Sequence, residues 1–209
     1  MKHFTHLLYL ILPFLTVFSG CEKEPVTDIQ DTQQQVTPPP APPAPSQDAK
    51  VLVVSFSFTG TTKSVATTLA ELSGGTLYSI EPETPYGSEN NTYYDQNTRA
   101  YQEQYGPASV RPAIKKTLDN AGDYDVILLG FPIWYGKAPR VIFTFLDAYP
   151  FKGKTVVPFI TSGSTGISSA AAELKSAYAG ITWKNGDRLN GKTREQLKSW
   201  LESSGIKVK

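Results

Sequence analysis

Beyond position 21 the sequence has no histidine, cysteine or methionine: Met1, His3, His6 and Cys21 account for all of them. Without imidazole in the body of the chain there is no Ser-His-Asp or Cys-His nucleophilic machinery, which uses that ring as general base. Zinc sites built on His or thiolate ligands and internal disulfides are excluded on the same ground. Charge of one sign is also lacking, since 20 Lys and Arg oppose 19 Asp and Glu. No basic face or stripe marks a nucleic-acid partner. What remains is carboxylates, hydroxyls, Lys, Arg and aromatics. Such a chain runs redox chemistry only through a borrowed cofactor, or it performs no catalysis.

The first 49 residues read as an address and a tether. Lys2 and His3 precede an apolar run over residues 4–18 that ends in Ser19-Gly20-Cys21, the pattern of a secretory signal over residues 1–20. The run is shorter than the ~20 apolar residues of a membrane-spanning helix. Its FSGC ending resembles the lipobox of bacterial lipoproteins, although Phe18 stands where Leu is usual. That resemblance implies cleavage before Cys21, lipid on its sulfur and an extracytoplasmic, membrane-anchored location at the cell envelope. The alternative is a plain secretory signal followed by a free thiol. Residues 22–49 hold seven of the sixteen prolines, many Gln and Asp, and no aromatic. Such a segment buries too little apolar surface to offset its ordering entropy, and its Pro-rich half favours extended polyproline. We read residues 21–49 as a spacer and residues 50–209 as one domain.

Within that domain apolar runs alternate with helical patterns. Residues 51–56 (VLVVSF) are continuous and apolar, as in a strand buried on both faces. A helix is expected over 63–72, stopped by Gly74, and a second strand over 76–80. A third strand spans 126–129 and stops at Gly130, with a helix over 139–148. The fourth strand spans 155–160, with a helix over 167–178. A short last strand within 181–189 and a closing helix over 193–203 complete the series. This alternation predicts an α/β fold, a doubly wound five-stranded parallel sheet with helices on both faces. The Tyr-rich stretch 83–120 is less legible; one or two helices are expected there, the second near 112–118.

Ligands of such sheets bind outside the carboxyl ends of the strands, and three unusual loops fall there. Ser57, Phe58, Thr59, Gly60, Thr61 and Thr62 lie between a strand and a helix start. Hydroxyls, a permissive glycine and the free N–H groups of a helix end together can cradle a phosphate, though the same residues also serve as turn and cap. Neither a GxxxxGK[ST] loop nor GxGxxG after the first strand is present, which disfavours nucleoside triphosphates and the usual dinucleotide fold. The second loop runs from Gly130 to Gly136 through Pro132, Ile133, Trp134 and Tyr135. The third is Thr161, Ser162, Gly163, Ser164, Thr165 and Gly166.

The first loop resembles the flavodoxin phosphate loop, T/S-x-T-G-x-T. The second resembles the G-x-P-x-W-[WY]-G loop of a flavodoxin-like subfamily, and the third its third loop. The resemblance covers roughly residues 50 to 204. It implies FMN as cofactor, with phosphate on the first loop, Trp134 and Tyr135 beside the isoalloxazine ring, and the N–H groups of the third loop at the pyrimidine edge. Some envelope proteins bond FMN to Thr in D-x-x-[ST]-G-[AST]-T; here the Asp position is Phe56, so non-covalent FMN is expected. Low-potential flavodoxins have acidic surroundings, whereas Lys137 and Arg140 stand in or beside the second loop and no charge stands in the third, so a higher potential is expected. Three readings stay open. They are an electron-transfer protein served by a redox partner or membrane quinol, an FMN-dependent quinone or small-molecule reductase, and a binding module that has lost the flavin.

Overall fold

The computed structural model describes residues 49–91 and 95–209. The signal, Cys21 and nearly all of the spacer lie outside the described residues, as do Tyr93 and Tyr94. The elements with their bounds are β1 Val51–Ser55, α1 Thr61–Ser73, β2 Thr76–Ser79, α2 Arg99–Tyr105, β3 Val126–Pro132, α3 Arg140–Ala148, β4 Thr155–Thr161, α4 Ser168–Ala177, β5 Thr182–Trp183, β6 Asp187–Arg188 and α5 Arg194–Ser203.

The sheet is parallel, in the order β2-β1-β3-β4-β5, with β6 also on β4. β5 and β6 are two pieces of one edge strand, so the expected last strand is present but broken. The break covers residues 184–186 and includes Gly186, where a Cβ would stand 2.1 Å from the Pro158 carbonyl oxygen. Alternation along the strands loads both faces. Leu52, Val54, Ile127, Leu129, Val156 and Ile160 join α3 and α4 on one side. Val53, Leu128, Val157 and Phe159 join α1 and α5 on the other. Each such fully buried side chain contributes about 1.5–3 kcal/mol relative to exposure. The doubly wound five-stranded architecture read from the sequence is the one observed.

Two local expectations are corrected. β3 does not stop at Gly130 but runs on through Phe131 to Pro132. Gly130 is an interior strand residue because the Phe159 ring of its register partner lies over it. Residues 112–118 form no helix. Ile114 instead bridges Pro82, with Glu83 N–H donating to Ala113 (2.9 Å) and Lys115 N–H to Glu81 (2.8 Å). Pairing across to the segment after β2 satisfies backbone groups that a helix would have satisfied internally.

Three phenols pack on the α3 side, Tyr86 buried and Tyr149 and Tyr178 half-buried. Burial, then the hydrogen bond with Tyr78, pushes Tyr149 up to about 12. Burial raises Tyr86 and Tyr178 further, helped by the bonds they donate to Glu103 and Asp147. The folded state thus keeps protons that unfolded phenols lose near pH 10. The stability tied to them is complete below about pH 10 and falls as pH rises toward 12. Thermal melts from pH 9 to 12 should show the midpoint dropping across that window; a flat midpoint would contradict the assignment.

Candidate functional site: a cleft at the carboxyl edge of the sheet

The loops after β1, β3 and β4 meet around a cleft of about 370 Å³. Phe58, Thr59, Thr61, Thr62, Pro132, Ile133, Trp134, Tyr135, Thr161, Ser162 and Gly163 line it, together with Asn90, Ala100 and Asn190. Direct bonds tie the loops to one another. The hydroxyls of Thr62 and Thr161 are 2.8 Å apart and buried, and Ile133 N–H donates to Thr161 O at 3.0 Å.

The first loop ends in an open helix N-terminus. Gly60 is the N-cap of α1, at φ 92°, with no side-chain cap and no acidic residue in the first turn. By contrast Thr98 caps α2, and Thr193 with Gln196 forms a capping box on α5. Helix starts leave N–H donors and a positive dipole end unmatched. On α1 these face a cleft edged by the hydroxyls of Thr59, Thr61 and Thr62, an anion cradle made without a basic side chain.

The second loop is a tight turn. Trp134 and Lys137 exchange both backbone hydrogen bonds at 3.0 Å, with Tyr135 at φ 52° and Gly136 at φ 80° between them. Two positive φ values in a two-residue turn favour Asn-Gly; a bulky Tyr held there costs on the order of 1–3 kcal/mol and persists where the surroundings enforce it. The Trp134 indole packs edge-on to Tyr86 (4.8 Å), Phe56 (5.3 Å) and Phe58 (6.1 Å). Tyr86 donates to Glu103 at 2.5 Å, and Glu103 pairs with Arg99. Trp134 is thus both a core residue and a wall of the cleft. Tyr135 meets Tyr101 and Tyr105 edge-on at 5.4 and 5.6 Å.

The third loop is held from the edge strand. Asn190 accepts the Ser162 N–H and donates to the Ser162 carbonyl, both at 3.1 Å. The Ser162 hydroxyl donates to the Thr165 carbonyl. Among the described residues, the N–H groups of Gly163, Ser164, Thr165 and Gly166 have no acceptor, so the loop offers a row of donors.

Other expected site residues sit at the margins. Ser57, whose hydroxyl is buried and without a partner, lines a neighbouring recess with Ser55 and Lys63 rather than the cleft. Gly60 and Gly136 shape their turns; Ser164 and Gly166 belong to the third loop without lining the cleft. Arg140, which by sequence position places charge beside the second loop, does not do so in the fold. It is buried, paired with Glu173 at 3.1 Å and bonded to Glu103 O at 3.4 Å, so its charge is matched away from the cleft. Asn90 and Ala100 come from the less legible Tyr-rich stretch, and the Ala100 N–H donates to Asn90 Oδ1 at 2.8 Å. Asn190 carried a signal, the Asn-Gly pair that ends the last strand. Among the described residues no group of His, Cys, Asp and Glu could hold a metal ion, and no carboxylate lines the cleft.

A 2-1-3-4-5 parallel sheet with an anion cradle after β1 and aromatic walls after β3 defines a flavodoxin-type α/β protein. The chain belongs to the flavodoxin family, whose model, described as Flavodoxin, matches residues 50–204. A provisionally named flavoprotein from Bacteroides eggerthii DSM 20697 is 42% identical over 77% of this chain and 100% of its own, with a TM-score of 0.73. Another, from Bacteroides uniformis ATCC 8492, is 44% identical over 74% of this chain and 98% of its own, with a TM-score of 0.71. A flavoprotein from Lactobacillus acidophilus NCFM, solved in complex with FMN, shares the fold at 24% identity and a TM-score of 0.52, over 67% and 93% of the two chains. No curated protein matches the chain.

Proposed function

We propose that this chain binds FMN non-covalently and transfers electrons at the bacterial cell envelope, tethered through lipid on Cys21. The observation that carries the cofactor is the cleft itself: an uncapped helix start with threonine hydroxyls at one end, aromatic walls, and unengaged backbone donors at the other. These fit a phosphate, a flat ring and the carbonyl edge of that ring in sequence. The FMN complex of the Lactobacillus relative supports the same reading. FMN when bound supplies the two-electron chemistry. The chain's own residues bind its phosphate, hold the ring against Trp134 and Tyr135, and leave electrons to a membrane quinol or a redox partner. The lipid anchor rests on the FSGC sequence and the Pro-rich spacer behind it.

A second reading, reduction of a flat small molecule such as a quinone, is favoured by one feature. Tyr105 is 56% exposed, stacks on Tyr101 at 4.3 Å and adjoins Tyr135 beside the cleft. Residues 46–209 purified with FMN and desalted should keep a yellow chromophore that denaturation releases as FMN. A colourless folded protein that FMN cannot titrate would move the assignment to a binding module. In cells, the full chain should fractionate with membranes and Cys21→Ala should leave them; an unchanged distribution would remove the anchor.

A further inference from the structure

We infer that Arg188 is the residue that raises the redox potential of the bound cofactor, acting through the backbone of the third loop. The inference rests on the FMN reading above. Arg188 lies on β6 opposite Ile160, two residues before Ser162 on the neighbouring strand. Its guanidinium donates to the carbonyls of Gly163 (3.1 Å) and Ser162 (3.4 Å), and Asn190 holds Ser162 from the same edge.

The loop's peptides are trans, and in a trans peptide the N–H points opposite to the carbonyl. Carbonyls of Ser162 and Gly163 drawn to Arg188 therefore turn the N–H groups of Gly163 and Ser164 the other way. Both N–H groups lack an acceptor, and Gly163 lines the cleft. Arg188 thus turns the Gly163 N–H toward the cleft that Gly163 lines, with the Ser164 N–H beside it in the loop, and polarises both from behind, since hydrogen bonds in a chain strengthen one another.

The charge is also unmatched. No carboxylate among the described residues pairs with the Arg188 guanidinium within ion-pair distance. Asp187, its neighbour in sequence, accepts the Arg188 backbone N–H at 2.7 Å instead. Of the cations by sequence near the second loop, Arg140 is paired with Glu173, and the Lys137 ammonium lies over the Tyr105 ring rather than on the third loop. Uptake of two electrons and a single proton by a bound ring leaves one extra negative charge, which a nearby cation and aimed N–H dipoles favour. Arg188 then tightens binding of the reduced cofactor more than of the oxidised one, and by linkage the potential rises.

The test uses the protein lacking only its first 21 residues, as wild type, Arg188→Met and Arg188→Lys. FMN retention is read first from the visible spectrum, then the midpoint potential by reductive titration, and the affinity for oxidised FMN by fluorescence. Arg188→Met should lower the ratio of reduced to oxidised affinity about tenfold, about 30 mV for a two-electron couple. Arg188→Lys should keep most of the potential, and the difference between wild type and Met should shrink with salt because Arg188 is exposed. Equal potentials in wild type and Met would overturn the inference. So would equal shifts in Lys and Met that ignore salt, which would assign the effect to loop shape. A wild-type protein without FMN would instead fail at the first reading and take the proposed function down with the inference.

Discussion

Thr61→Asp should make the cofactor-free domain more stable and abolish tight FMN binding, two changes of opposite sign from one side chain. Thr61 is the first residue of α1, exposed, and on the cleft wall. That helix start has neither a side-chain cap nor an acidic residue in its first turn. A carboxylate there meets the positive end of the dipole and should add about 0.3–1 kcal/mol. Toward a ligand the same charge repels. A singly charged carboxylate about 4 Å from a doubly charged phosphate costs about 2 kcal/mol even at the dielectric of water, and more in a partly closed cleft. FMN affinity should therefore fall by roughly 30-fold or more. Melting without FMN and fluorescence titration with FMN read the two effects separately. A variant that still binds FMN tightly would show that the phosphate does not lie at this helix start. A variant that loses both stability and binding would point to local damage rather than to charge.

The open start of α1 was legible because a strand, a hydroxyl-rich turn with one glycine and a helix pattern follow one another within residues 51–72. The parallel sheet followed from continuous apolar runs alternating with helical patterns, as strands buried on both faces require. What was not legible had long-range causes. The extended course of residues 112–118 depends on a partner more than 30 residues upstream, at Glu81 to Glu83, and the local pattern of an Ile and a Leu four apart looks equally helical. Within the edge strand, position 186 passes so close to the Pro158 carbonyl that only glycine fits, a constraint set by packing and absent from local propensity.

The same distinction runs through the site. The three loops announce themselves because each carries an unusual local composition. The charges do not. Arg140 stands beside the second loop in sequence but points into the protein toward Glu173. Arg188 stands outside every loop motif and reaches the third loop only because β6 pairs with β4. Nearness along the chain therefore misplaced the charge of Arg140. Asn190 belongs with Arg188: its side chain is a clamp on Ser162 that requires the edge strand to be in place.

Gly130→Val should be among the most damaging single changes in the sheet, although Val is the better strand former. By propensity alone the substitution would gain up to about 1 kcal/mol, and φ at this position is not in the left-handed region. Packing sets the sign. A Cβ at 130 would stand 2.2 Å from the Phe159 ring, and that ring is fully buried and lies edge-on to Trp200 of α5 at 6.2 Å. The ring has no exposed side toward which to retreat, so β3 and β4 must separate or α5 must shift. Overpacking of this kind costs about 1–3 kcal/mol and occasionally more; we expect the upper end, read as a fall in denaturation midpoint. Phe159→Ala alone should cost about 3–5 kcal/mol through the cavity it leaves. The double variant should be less unstable than the sum of the two, because the introduced valine side chain then occupies part of that cavity, with a coupling of about 1–3 kcal/mol. Strict additivity would mean that the two side chains do not compete for the same space. A tolerated Gly130→Val would mean that this face of the sheet repacks freely, and the second and third loops at the ends of β3 and β4 would then lack a rigid base.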